Sequence, residues 1–263
     1  MNYTHVFWDW NGTMIDDLRY SVDVVNVSLK KRNLPLLTIE KYLKTFRFPI
    51  KDYYQDLGFD FSIDSYENLA IEYHDLYQKN CKNLTLHDGL KEVLAVFASK
   101  NIPQYVLSAS ERKILEDGLD YYGIRKYFTS ISALENYYAF SKISIGKALV
   151  STMPKDAKIL MIGDSEHDYE VASAVGIDCV LFSKGHGLRE RLTSLNVPVI
   201  DDLRQLYPIV LNTEKKGTPP KLHTVFDRET RSYDLSDSQP ETFSTRYKDF
   251  YDDLKNTNKT EDW

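Results

Sequence analysis

Short apolar runs alternate with helical patterns along most of the chain after residue 85, as expected of a parallel sheet whose strands are joined by helices. The runs predict strands at 5–9, 103–108, 127–132, 158–163, 178–182 and 197–200. Helices are predicted between them at 89–99, 111–121, 141–152, 167–175, 187–195 and 201–210. Gly176 stands where the helix after Asp168 should stop, as a left-handed cap residue would. Residues 16–85 break the alternation. Leu18, Val22, Val25 and Leu29 share one helical face that ends near Asn33-Leu34-Pro35, and Leu69, Tyr73 and Leu76 repeat the spacing in a later helix. Two shorter helices are expected at 38–46 and 50–57. The pattern therefore reads as an α/β core from residues 1–15 and 86–211, with an all-helical cap inserted at 16–85 as a lid over the strand tips. From 212 to 263 the sequence is polar, mixed in charge and carries Pro219-Pro220, the composition of a loosely held tail. Its aromatic patch (Phe243, Tyr247, Phe250, Tyr251, Leu254) could still form a short helix that docks on the body. No internal repeat is evident.

Composition narrows the class. At 263 residues, 42% hydrophobic and 27% charged, the chain can bury a substantial core. A net charge of −6 argues against a nucleic-acid partner, whose phosphates need a basic face, but leaves room for a local anion pocket. Cys81 and Cys179 lack metal-ligand spacing and read as reduced thiols. No charged segment followed by an apolar core precedes the first strand, and no apolar run approaches membrane-span length. A cytoplasmic chain without a membrane partner is the expectation; oligomeric state is not legible.

Candidate chemistry collects at the carboxyl ends of the predicted strands, where parallel sheets gather their ligands. Asp9 and Asn11 follow the first strand, within Trp8-Asp9-Trp10-Asn11-Gly12-Thr13. Ser108 follows Gln104-Tyr105-Val106-Leu107, and Lys142 opens the helix after the 127–132 strand and its loop. Gly163-Asp164-Ser165-Glu166-His167-Asp168 follows the 158–163 strand. A carboxylate at the tip of a buried strand is costly unless it binds a metal or does covalent work.

These residues resemble the haloacid dehalogenase-like hydrolases, in the branch with a helical cap typified by phosphoglycolate phosphatases. The family's Asp-x-Asp-Gly-Thr motif is matched by Asp9-Trp10-Asn11-Gly12-Thr13, its strand-ending Ser or Thr by Ser108, its Lys by Lys142, and its Gly-Asp with a later Asp by Gly163-Asp164 and Asp168. The resemblance covers roughly residues 5–210 and implies a Rossmann-like, three-layer core. It also implies an Mg²⁺-dependent phosphatase acting on a small phosphorylated metabolite. Asp9 would attack phosphorus to form an aspartyl-phosphate. The metal would be held by Asp9, the backbone carbonyl of Asn11 and Asp164, with Asp168 orienting a ligand or metal-bound water. Ser108 and the amide of Ala109 would bind a phosphoryl oxygen, and Lys142 would neutralise growing charge. Lys147, further along the same helix, is the weaker competitor. Asp168 and Ser108 also have plain structural readings, as a helix N-terminal acid and a helix cap.

Asn11 departs from the family. Its phosphatases place an Asp there as general acid and base, worth ~10²–10⁴-fold, and an amide cannot ionise. Three readings stay open: substrates with a good leaving group such as acyl phosphates, a slow enzyme or one using another acid (Asp16, Asp17 or a cap residue), or a protein that binds a phosphorylated ligand or partner without turning it over. In the cap, Arg47 and Lys51 could read a carboxylate or second phosphate on the substrate. The Asp-Trp-x-Gly-Thr form also resembles phosphonoacetaldehyde hydrolase, which would make Lys51 a Schiff-base lysine. His186 in Gly185-His186-Gly187 reads as a solvated turn residue near the rim; His5, His74 and His87 have no motif partner. Trp8 and Trp10 read as core packing.

Overall fold

The computed structural model describes residues 2–134 and 142–211, all within one compact unit. The predicted tail and the loop before Lys142 lie outside the described residues. In chain order the unit comprises β1 (His5–Trp8), β2 (Ile15–Asp16), α1 (Leu18–Lys31), α2 (Ile39–Thr45), α3 (Ile50–Asp56), α4 (Tyr66–Asn80), β3 (Thr85–Leu86) and α5 (Leu90–Ser99). It continues with β4 (Gln104–Glu111), α6 (Arg112–Tyr121), β5 (Phe128–Leu134), α7 (Ile143–Ser151), β6 (Ile159–Gly163) and α8 (Glu166–Val175). β7 (Asp178–Phe182), α9 (Arg189–Thr193), β8 (Val199–Ile200) and α10 (Leu206–Leu211) complete it.

Six strands form one parallel sheet in the order β5-β4-β1-β6-β7-β8. β1 is interior because Val6, Phe7 and Trp8 leave no polar side chain to solvate, and all three are fully buried. Alternation sends Phe7 into a layer with Tyr105, Leu107, Met161, Leu181 and Val171. Trp8 turns to the opposite face, meeting the Phe97 ring of α5 while its indole N–H donates to Gln104 Oε1 at 3.1 Å. Helices on both faces make the core Rossmann-like. Among the described residues, no helix is long and apolar enough to cross a membrane.

Between β1 and α5 the chain makes the four expected helices, whose apolar stripes close on one another. Leu18, Val22, Val25 and Leu29 of α1 pack with Tyr42, Tyr53, Tyr54, Tyr66 and Leu69 in a cluster drawn wholly from this stretch. Two elements escaped the sequence pattern. Ile15–Asp16 and Thr85–Leu86 pair antiparallel, tying together the two chain crossings that lead into and out of the helices. β4 also runs on to Glu111, three residues past its predicted end, with a register shift after Leu107.

Candidate active site

Because β1 lies between β4 and β6, the residues leaving the carboxyl ends of all three arrive at one edge. After β1 the chain folds back sharply. Met14 N and Ile15 N both bond to Trp10 O, and Gly12 N bonds to Ile15 O. Gly12 sits at φ 73°, and a Cβ there would fall 2.3 Å from Asp164 Oδ2. Glycine is thus required twice, for the left-handed turn and for the approach of the carboxylate. Thr13 Oγ1 donates to Asp164 Oδ1 at 2.8 Å, and buried His87 bonds through Nε2 to Gly12 O at 3.0 Å.

Lys142 is 2% exposed and joins two strand ends: its Nζ lies 2.9 Å from Asp9 Oδ1 and also bonds Asp168 Oδ1. Asp168 Oδ2 accepts from the amides of Asp164 and Ser165, each at 3.0 Å, and from Ser165 Oγ at 2.8 Å. Both Asp168 oxygens are therefore engaged, one by the ammonium and the other by the helix N-terminus, so its place here is to hold Lys142 and the Asp164 turn. Burial would raise the Asp168 carboxyl, but Lys142 and these donors hold it below the usual range. Burial pushes Asp9 up to about 6 although Lys142 opposes it. Burial likewise pushes Asp164 up to about 8, with His186 opposing and Asp168 and Asp9 adding. Ligand oxygens of Asp9, Asp164 and Asp168 lie within 4.8 Å of one another. A buried, oxygen-only cluster with more negative charge than Lys142 offsets can hold a hard divalent cation.

Ser108 Oγ accepts from Ser110 N at 3.1 Å and is buried at the cavity wall beside Ala109. It does not cap α6; Glu111 does, accepting from Ile114 N at 2.9 Å. Asn11 is held on both ends of its amide. Its Nδ2 donates to Asp17 Oδ2 at 2.7 Å and lies 3.0 Å from Tyr77 Oη, while Oδ1 accepts from Ser110 Oγ.

Two expectations change. Arg47 and Lys51 do not border the cavity: Arg47 pairs with Asp56 at 2.8 Å and Asp52 at 3.5 Å on the surface, and Lys51 lies over the Phe61 ring. Carboxylates one and two turns along α3 offer Arg47 nearer partners than the site does. His186 is not a solvated turn residue. It is buried, with Nε2 3.1 Å from Asp17 Oδ1, Nδ1 2.9 Å from Tyr42 Oη, and its amide donating to Asp164 Oδ2 at 2.6 Å. The signal for it was the flanking glycines, since a Cβ at Gly185 or Gly187 would fall within 2.3 Å of Asp164. Asp17 is the centre of this second web, also accepting from Gly12 N at 2.8 Å and Tyr77 Oη at 2.8 Å.

The four helices and the strand ends line a cavity of about 180 Å³ above Asp9. Its lining joins Asp9, Asn11, Ser108, Lys142 and Asp164 to a wall of aromatic side chains from α2, α3 and α4. The sequence matches the family model of the haloacid dehalogenase-like hydrolases over residues 6–182. The chain belongs to that family. It is 26% identical over 217 residues to a candidate pyrophosphatase, PpaX, of Caldanaerobacter subterraneus subsp. tengcongensis, covering 80% of this chain and 96% of that protein. It is 26% identical over 227 residues to a phosphoglycolate phosphatase of Pseudomonas fluorescens, covering 82% of each. The fold matches the structure of protein tyrosine kinase A of Mycobacterium tuberculosis with a TM-score of 0.66 at 22% identity, over 79% of this chain and 97% of that one. At family level the chain is a hydrolase with phosphatase relatives.

Proposed function

We propose that this haloacid dehalogenase-like hydrolase is a phosphatase of small phosphorylated metabolites that works through an aspartyl-phosphate on Asp9, with residues 16–85 serving as a cap. The observation that carries the reading is the Lys142 ammonium clasped between Asp9 and Asp168, beside Ser108 and at the floor of a cavity. Asp9 can present the oxygen not held by Lys142 to phosphorus while Lys142 stands ready for the equatorial oxygens. Ser108 Oγ and nearby amides supply donors for the same oxygens. Displacement breaks the ester P–O bond and its electron pair leaves with the alkoxide or phenolate. Water then attacks the phosphorus of the aspartyl-phosphate, releasing inorganic phosphate and restoring Asp9.

Mg²⁺ is the cation that fits, with Asp9, Asp164 and the Asn11 carbonyl as its holders. When bound it would offset the repulsion between carboxylate and phosphate dianion. Asp168, already bonded on both oxygens, supports this set through Lys142 and the Asp164 turn. The carbon–phosphorus cleavage reading loses its support, because Lys51 does not border the cavity.

The test is release of inorganic phosphate from p-nitrophenyl phosphate and acetyl phosphate with and without Mg²⁺. Turnover should require the metal and fall by at least ~10³-fold in Asp9→Ala, which removes the nucleophile. No turnover by wild type across a broad phosphate panel, with ligand binding intact, would instead establish a binding protein.

A further inference from the structure

The cavity above Asp9 carries an unusual instruction about what its substrate looks like. Among the described lining residues Lys142 is the one Lys or Arg, and it is committed to Asp9 and Asp168. His186, the other cation of this lining, is committed to Asp17, so the unpaired cationic fork that a carboxylate or second phosphate would need is missing from the described walls.

Rings take its place. Tyr42 and Phe46 stack at 4.9 Å between centroids, and Tyr53 meets Phe46 edge-on at 5.3 Å. Phe48 stacks on His167 at 4.2 Å with an interplanar angle of 17°. All of these residues line the cavity. Two polar atoms in this apolar wall are buried and have no hydrogen-bond partner among the described residues: Tyr53 Oη and His167 Nε2. Such atoms are costly unless a ligand satisfies them. Both can hydrogen-bond a neutral polar substituent on a planar group.

A separate observation concerns the leaving oxygen. Asn11 replaces the family's proton donor, and its amide is already bonded at Nδ2 and Oδ1. Without an acid at this position the departing oxygen lacks the proton donor that the family places beside it. A phenolate, whose conjugate acid titrates near about 10, tolerates that far better than an alkoxide.

We propose that the substrates are aryl phosphomonoesters: an uncharged ring lies among Tyr42, Phe46, Phe48 and Tyr53, and its oxygen leaves as phenolate. In the step, Asp9 Oδ bonds to phosphorus as the P–O(aryl) bond breaks. The electron pair goes to the aryl oxygen, which takes its proton from water. Ring recognition and leaving-group chemistry then select the same compound class, and neither needs a cation from the cap. The proposal rests on the phosphatase reading above.

Four esters separate the contributions when kcat/KM is measured on the full chain with Mg²⁺. Phenyl phosphate offers ring and good leaving group; benzyl phosphate keeps the ring with an alkyl oxygen. Acetyl phosphate keeps the good leaving group without a ring, and 2-phosphoglycolate has neither ring nor good leaving group. Phenyl phosphate should exceed benzyl phosphate and 2-phosphoglycolate by about 10²-fold or more, the scale of the missing acid. It should exceed acetyl phosphate by about tenfold, and Phe48→Ala should narrow that second gap through a higher KM for phenyl phosphate. If 2-phosphoglycolate or benzyl phosphate matches phenyl phosphate, the aryl assignment is overturned while the phosphatase reading stands. If none of the four is hydrolysed, the phosphatase reading falls and takes this assignment with it.

Discussion

Asn11 looks from its motif like a lost acid, yet its surroundings are built for an amide. Nδ2 donates to Asp17 Oδ2 at 2.7 Å, and Asp17 is held ionised below the usual range: burial opposes the charge, but His186, Asn11 and Tyr77 outweigh it. A carboxylate at position 11 would turn that donor into a second acceptor facing the first. Asn11→Asp should therefore lower unfolding stability by roughly 1–3 kcal/mol in urea, and the same change should cost much less in an Asp17→Asn background, where the facing carboxylate is gone. Additive losses in the double variant would contradict the pairing. His186 makes the same web sensitive to pH. Burial alone would disfavour its charge, but the Asp17 carboxylate raises it to about 9 from an ordinary 6.5. The folded chain thus binds this proton more tightly than the unfolded chain. The pair's stabilisation is full below about pH 6.5 and fades as pH rises through 9. His186→Gln should cost about 3–5 kcal/mol at pH 6 and progressively less by pH 9–10, because the wild type loses the pair there as well. Equal losses at both ends of that range would contradict it.

The helices of 18–80 meet the core through a few specific contacts, and these fix the shape of the cavity. Arg191 of α9 donates from Nη2 to the carbonyls of Leu43 at 3.1 Å and Phe46 at 2.9 Å, at the C-terminal end of α2. There the guanidinium both satisfies end carbonyls and complements the negative end of the helix. Arg191→Ala should speed amide exchange across α2 and α3 while leaving β1 and β6 protected, read by hydrogen–deuterium exchange mass spectrometry. Uniform exchange across both regions would contradict a local latch. Most of these elements are legible in the sequence, since α1 and α4 carry long apolar stripes and the strands are short unbroken runs. The β2–β3 pair is not, because two-residue strands give no periodicity. The extension of β4 to Glu111 is hidden too, as Ser108, Ala109 and Ser110 look like the start of a turn.

At the scale of the molecule, the sheet order is what converts scattered motifs into a site. Placing β1 between β4 and β6 brings Asp9, Ser108 and Asp164 to one edge, and Lys142 closes the set from the end of another crossover. Asp9, Ser108, Lys142, Asp164 and Asp168 could be read from sequence because each follows or opens a regular element near the sheet's carboxyl edge. The Asp17–His186 contact spans 169 positions and has no local signature, so only the fold reveals it. The cavity's aromatic wall was equally hidden, since its rings serve as ordinary apolar positions on their own helices. Arg47 and Lys51 stand away from the cavity lining for a related reason: sequence shows a cation near the bend between α2 and α3 but not which way it turns. The central claim is covalent chemistry on Asp9, and acid-quench mass spectrometry during turnover of phenyl phosphate tests it directly. One phosphoryl group should appear by mass on the peptide bearing Asp9 and be lost in Asp9→Asn. Undiminished turnover in that variant, or a phosphoryl group on another residue, would contradict it.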